Sequence, residues 1–280
     1  RAEASDQDGH DQRASCQSEL HGLGYRTGEA EKMLNYISAE LYKVRRRKST
    51  WALLALLLGL ESLYILLFAH GECYELLNAF VTTLTLGLPM ALLLSALVCS
   101  DMGRSGTLKN ELSAGLPRSR IYLGKLLSAL IVALIALALA VGLCLAAGGL
   151  LFRHSDPAQD RSALAVVGYC LAAALPLWVG GLGLAQMLFF LVPSPGAAES
   201  LYFVWFVFLD WMASLITWNA QGPLAQAAAA LQSLLLSWTF GQLEGVLTRE
   251  LLAHSWLVGL GWLAVTSSVG VWVFRRRELR

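Results

Sequence analysis

Apolar residues in this chain run in long blocks, with little of the alternation that marks a half-buried surface. Six blocks stand out, at residues 51–68, 77–99, 121–152, 163–192, 201–218 and 255–274. A helix needs roughly 17–25 apolar residues to cross the hydrocarbon of a bilayer, so each block reads as a membrane span. The third and fourth exceed one crossing, and their ends are expected to protrude or tilt. The predicted fold class is all-α, a polytopic membrane protein with six transmembrane helices.

Three segments between or before the blocks also carry a pattern. Leu34, Ile37, Leu41 and Val44 follow helical spacing beside Lys43 and Arg45 to Arg47, which predicts a helix lying along the membrane surface. Residues 105–116 predict a short helix, with Ser105 or Thr107 as N-cap and Leu108, Leu112 and Leu116 on one stripe. Gly115 and Pro117 should end it. Residues 223–253 are too long and too apolar for a plain loop, so helices resting on or dipping into the outer leaflet are expected there.

Composition agrees with the blocks. The 280 residues are 56% hydrophobic and 15% charged, against about 25% charged for soluble domains. That balance excludes most soluble enzyme classes, and a net charge of +1 gives no reason to expect nucleic acid as a partner. Residues 1–32 are polar with no apolar core. They read as a disordered extension, with Met33 opening the membrane domain at 33–280.

The distribution of charge sets the expected orientation. From Met33 onward, fourteen Lys and Arg residues fall before the first span, in and beside the loop after the second, and after the sixth. On the opposite side stand only Arg153, Arg161 and Arg249. The positive-inside rule then places both termini and the 100–120 loop in the cytoplasm.

Candidate chemistry is sparse. Glu61 lies in the first span and Asp210 in the fifth. An acid in hydrocarbon costs at least about 2.5–3.5 kcal/mol on insertion scales, so each should face protein, water or an interface. Both are candidate intramembrane polar sites, lining a substrate path or a subunit contact. The five cysteines and the loop residues His154 and His254 show no metal-ligand spacing, and no metal or catalytic set is predicted. Gly124-Lys125 lacks the earlier glycine of a phosphate-binding loop, since position 119 is Ser. Glycines at 180, 181, 183, 259, 261 and 270 predict close helix approach.

The 100–125 loop is the most informative stretch. It carries Asp101, then Gly106-Thr107-Leu108-Lys109-Asn110-Glu111-Leu112, then Arg118-Ser119-Arg120 and Gly124-Lys125. This order, with the opening Met33 to Lys43 segment containing Glu40, basic residues before Trp51 and the closing Phe274-Arg-Arg-Arg-Glu278, resembles the type-two ABC transporter permeases. The nearest likeness is to permeases of bacitracin- and lantibiotic-type export and immunity systems. The resemblance spans residues 33–280. It implies that 106–116 is a coupling helix seated in a separate ATPase subunit, with Asp101, Arg118, Arg120 and Lys125 in the surrounding cytoplasmic loop. It further implies a bacterial cytoplasmic membrane location and a second permease subunit, identical or related. No cofactor is expected on this chain, because ATP and Mg belong to the ATPase. The resulting expectation is an exporter subunit that moves an amphipathic substrate such as a peptide antibiotic. Two other readings stay open, an ion-coupled carrier and an intramembrane enzyme.

Overall fold

The computed structural model describes residues 31–68, 71–99, 107–113, 115–192, 194–219, 221–244 and 247–276. Among these the chain is helical, without a strand beyond one isolated bridge between Glu72 and Arg153. Six helices are long and apolar enough to span a membrane: Lys48–Leu67, Cys73–Cys99, Arg118–Leu151, Pro157–Leu191, Pro195–Asn219 and Arg249–Arg276. They match the six apolar blocks, extended outward by their polar first turns. The third and fourth, of 34 and 35 residues, measure about 51 and 53 Å at roughly 1.5 Å per residue. A hydrocarbon core of about 30 Å cannot hold either one upright along its whole length, so helices of this length must protrude at their ends or tilt.

Spans four and six form the centre of the bundle, and small residues make their approach possible. A Cβ at Gly259 would lie 2.2 Å from the Pro176 carbonyl oxygen, and one at Gly180 would lie 2.8 Å from the Gly259 oxygen. Gly183 faces Thr266 and Gly270 faces the Tyr122 ring at similarly short range. Gly261 is different: nothing lies within 4 Å of its Cβ position, so it takes no part in the packing predicted for it. Dispersion between closely fitted backbones drives such contacts, since lipid tails are as apolar as leucine.

Span two is broken in its middle. A 3₁₀ turn, Leu84–Leu86, separates Cys73–Thr83 from Gly87–Cys99, just ahead of Pro89, which has no N–H to give. Carbonyls in the turn and just after it are used by neighbours: Trp178 Nε1 donates to Leu84 O at 3.2 Å and Tyr202 OH to Leu88 O at 2.9 Å. Span five carries a π-helical stretch, Val204–Phe208, which ends two residues before Asp210. The segment after it folds into helices Pro223–Ser233 and Leu236–Gly241; its last residues, from Arg249, already belong to span six.

The N-terminal helix, residues 31–46, departs from the expected face. Leu34 is exposed and Leu41 half-buried, whereas Tyr36, Ile37, Glu40 and Val44 are buried. The buried stripe has an acid at its centre. It packs against protein, and the reason lies in the next element.

Candidate functional site

The loop helix is Thr107–Ser113. Its C-terminus closes as the sequence predicts. Gly115 adopts φ 79°, its N–H donates to Leu112 O at 3.0 Å, and Leu116 N–H reaches back to Glu111 O at 3.3 Å. This pair of bonds is a Schellman turn, which needs a residue tolerant of left-handed backbone. Pro117 then starts span three with an extended backbone. Asp101 and Gly106 lie outside the described residues. Thr107, Leu108 and Lys109 contribute backbone to the helix, and Asn110 is exposed.

Glu111 is the residue that ties this helix down. Its side chain is 10% exposed and meets three groups from two other elements. Tyr36 OH donates to Glu111 Oε2 at 3.0 Å, Lys43 Nζ lies 3.5 Å from Oε1, and Lys125 Nζ lies 3.8 Å from the same oxygen. Glu40 completes the group: Lys125 Nζ donates to its Oε2 at 3.0 Å and Lys43 Nζ to its Oε1 at 2.6 Å. Two carboxylates and two ammonium groups thus share one buried locus, with Lys125 and Glu40 each 2% exposed. Gly124 makes room for it, since a Cβ there would lie 2.4 Å from the Tyr36 ring.

The balance of charge explains why burial is tolerated. Burial pushes the Glu40 carboxyl up, but Lys125 and Lys43 outweigh it and hold the group below its ordinary value. For Lys43 burial acts downward, and its bonds to Glu40 and Glu111 overcome it and raise the ammonium. Burial, with Glu40 and Glu111 adding to it, drives the Tyr36 hydroxyl far above its usual range, so it acts only as a neutral donor. Removing one partner from a buried ion pair typically costs about 3–5 kcal/mol, because the other charge is stranded.

Apolar contacts and end-caps continue the same interface. Leu112 and Leu116 pack against a cluster containing Cys99, Ile121, Tyr122, Phe190 and Phe274, which joins the ends of spans two, three, four and six. Arg118 donates to the carbonyls of Phe274 and Arg275, both at 2.9 Å, and Arg47 donates to Leu97 O at 2.6 Å. Cations at these helix C-termini satisfy carbonyls that the helix leaves open. Residues read from sequence as topology signals therefore also staple span ends together. Arg120 is half-buried on the first turn of span three.

The sequence placed Glu111 and Lys125 in this loop but gave no reason to pair them with Glu40 and Tyr36. One signal was present: Glu40 sits between Ile37 and Val44 on an otherwise apolar stripe, three residues from Lys43. An acid in that position asks for a buried partner.

The two intramembrane acids have separate surroundings. Asp210 is half-buried, with Oδ1 unpartnered among the described residues. Beside it, Gln232 Nε2 donates to Ser214 Oγ at 2.8 Å, which fastens the helix Pro223–Ser233 to span five. Glu61 is 4% exposed, and neither carboxylate oxygen has a hydrogen-bond partner among the described residues. At the other end of the bundle, Cys73, His154 and Asp160 offer ligand atoms within 4.8 Å of one another. His154 Nδ1 and Asp160 Oδ2 stand 2.7 Å apart. Sequence spacing could not bring these three together, because they come from the start of span two, a loop and the first turn of span four.

No curated protein matches the chain significantly. Residues 36–208 match the family described as ABC-2 family transporter protein, a stretch that begins at the buried Tyr36, includes the loop helix and runs into span five. A six-span helical bundle with that match over more than half its length is a membrane transport subunit, and the chain belongs to the ABC-2 transporter family.

Proposed function

We propose that the chain is the permease subunit of a bacterial ABC exporter, in which the helix Thr107–Ser113 receives force from a separate ATPase subunit. The observation that carries this is the tie between Glu111 on that helix and buried Lys125 on span three, reinforced by Tyr36 and Lys43 of the N-terminal helix. A short helix held only by its two chain connections would swing without moving the bundle. This one is bonded to two other elements and packed on the ends of four spans. Displacing it by ATP-driven closure of the partner therefore displaces the basic ends of the spans together. Two permease subunits, identical or related, would enclose the path, and the cargo would be amphipathic. Both termini face the cytoplasm in this reading, as the basic residues require.

The test is affinity purification of the detergent-solubilised protein with and without residues 106–116. The intact chain should retain an ATPase and the deletion should lose it while still inserting into the membrane. Isolation of the intact chain alone, together with unaltered efflux by the deletion, would overturn the coupling role and favour an ion-coupled carrier.

A further inference from the structure

Glu61 is a buried acid without a hydrogen-bond partner among the described residues, and it lines a cavity. The cavity, about 100 Å³, lies between spans one to four. Leu57 and Leu60 flank Glu61 on its own helix, while Phe80, Met90, Ala136 and Trp178 face it from the others. Gly87 makes room for the indole, since a Cβ there would lie 1.9 Å from Trp178 Nε1. Leu60 and Leu86, which also line the cavity, are 43% and 41% exposed. Its mouth is therefore on the lipid-facing surface.

The other polar lining side chains are already engaged. Thr83 donates to Phe80 O at 2.6 Å and Trp178 to Leu84 O at 3.2 Å. Nothing in the wall is left to satisfy the carboxylate. A hard metal ion needs about six oxygen ligands, and these walls supply one carboxylate amid hydrocarbon. A bound proton would neutralise the charge but leave the acid's O–H and carbonyl oxygen still without a hydrogen-bond partner in the wall. What fits is a positively charged N–H donor on an apolar arm, with the arm leaving through the lipid-facing mouth.

We infer that Glu61 and this cavity form a binding site for the cationic head of an amphipathic amine, which rests on the permease reading above and names the charge of its cargo. Wild-type protein in phosphatidylcholine nanodiscs should retain radiolabelled dodecylammonium about tenfold better than dodecanol, after subtraction of empty discs, as a charge-assisted bond implies. Glu61→Gln should lower that preference to about onefold, with an unfolding midpoint no lower than that of the wild type showing that the variant is folded. Met90→Trp, which keeps the acid and fills the cavity, should reduce retention of both probes. Equal retention of the two probes by the wild type, or an unaltered preference in Glu61→Gln, would overturn the site. The assay needs no ATPase, so the two readings fail separately. A chain that binds the amine but purifies without an ATPase refutes the permease role alone, whereas an ATPase-bound chain with no amine preference refutes the site alone.

Discussion

Two buried acids in this protein teach opposite lessons. Glu40 and Glu61 are almost equally hidden, at 2% and 4% exposure. Glu40 has two lysines at bonding distance and belongs to a network that joins three elements. Glu61 faces a cavity walled by hydrocarbon, with no partner among the described residues. Burial costs both groups solvation. The first recovers that cost through ion pairs and gains rigidity, while the second leaves its bonding capacity open. A fixed joint and a receptive site thus differ in what surrounds the carboxylate, and their depth of burial says little about which is which.

Substitutions should separate the two. The largest effect is expected from Lys125→Met, which leaves Glu40 and Glu111 to share the half-exposed Lys43 as their counter-charge and should destabilise the protein by about 3–5 kcal/mol. A large fall in the thermal unfolding midpoint of the purified protein would register it, and a midpoint within a degree of wild type would show that the network carries no stability. Glu61→Leu should change the midpoint in the opposite direction, raising stability by about 1–3 kcal/mol as an unsatisfied acid is removed. A comparable fall there would mean that Glu61 has a structural partner after all.

Smaller changes sharpen the same contrast. Tyr36→Phe removes one neutral donor from Glu111 and should cost about 1 kcal/mol, with faster amide exchange in Thr107–Ser113 as its signature. Lys43→Met should cost less, about 0–1 kcal/mol, because its ammonium is 38% exposed and screened by solvent.

The network also has a pH signature. The Glu40 carboxyl is held below its ordinary value of 4.5, so its stabilising effect is complete above that value and is lost as pH falls through the depressed folded value. The Lys43 ammonium is raised above 10.5, so its contribution is complete below that value and fades only at more alkaline pH. Docking of the loop helix should therefore be level between about pH 5 and 10 and weaken first in acid. Hydrogen exchange of Thr107–Ser113 against pH is the measurement, and a step near neutrality would contradict the assignment.

Much of this architecture was legible in the residues themselves. The number of spans, the overlength of the third and fourth and the Gly115 stop follow from local composition. The N-terminal helix was legible as a helix but its face was not. The apolar periodicity favoured Leu34 and Leu41, whereas the buried face carries Glu40 because Lys125, 85 residues away in the chain, supplies its counter-charge. Glu61 and Asp210 looked alike as lone acids in apolar helices. Only the neighbouring helices distinguish them: Glu61 faces a cavity with both oxygens unpartnered among the described residues, whereas Asp210 lies beside Gln232 of the helix Pro223–Ser233.

The sequence by itself determined that the chain crosses a membrane six times as helices, because hydrocarbon admits backbone only when its hydrogen bonds are closed within a segment. It also marked the basic end of the bundle, since charge beside a span is a local property. Tertiary structure decided which charges are paired, which glycines bear on a neighbour and which acid is left facing a cavity. Those outcomes depend on which side chains meet across distances that no local pattern encodes.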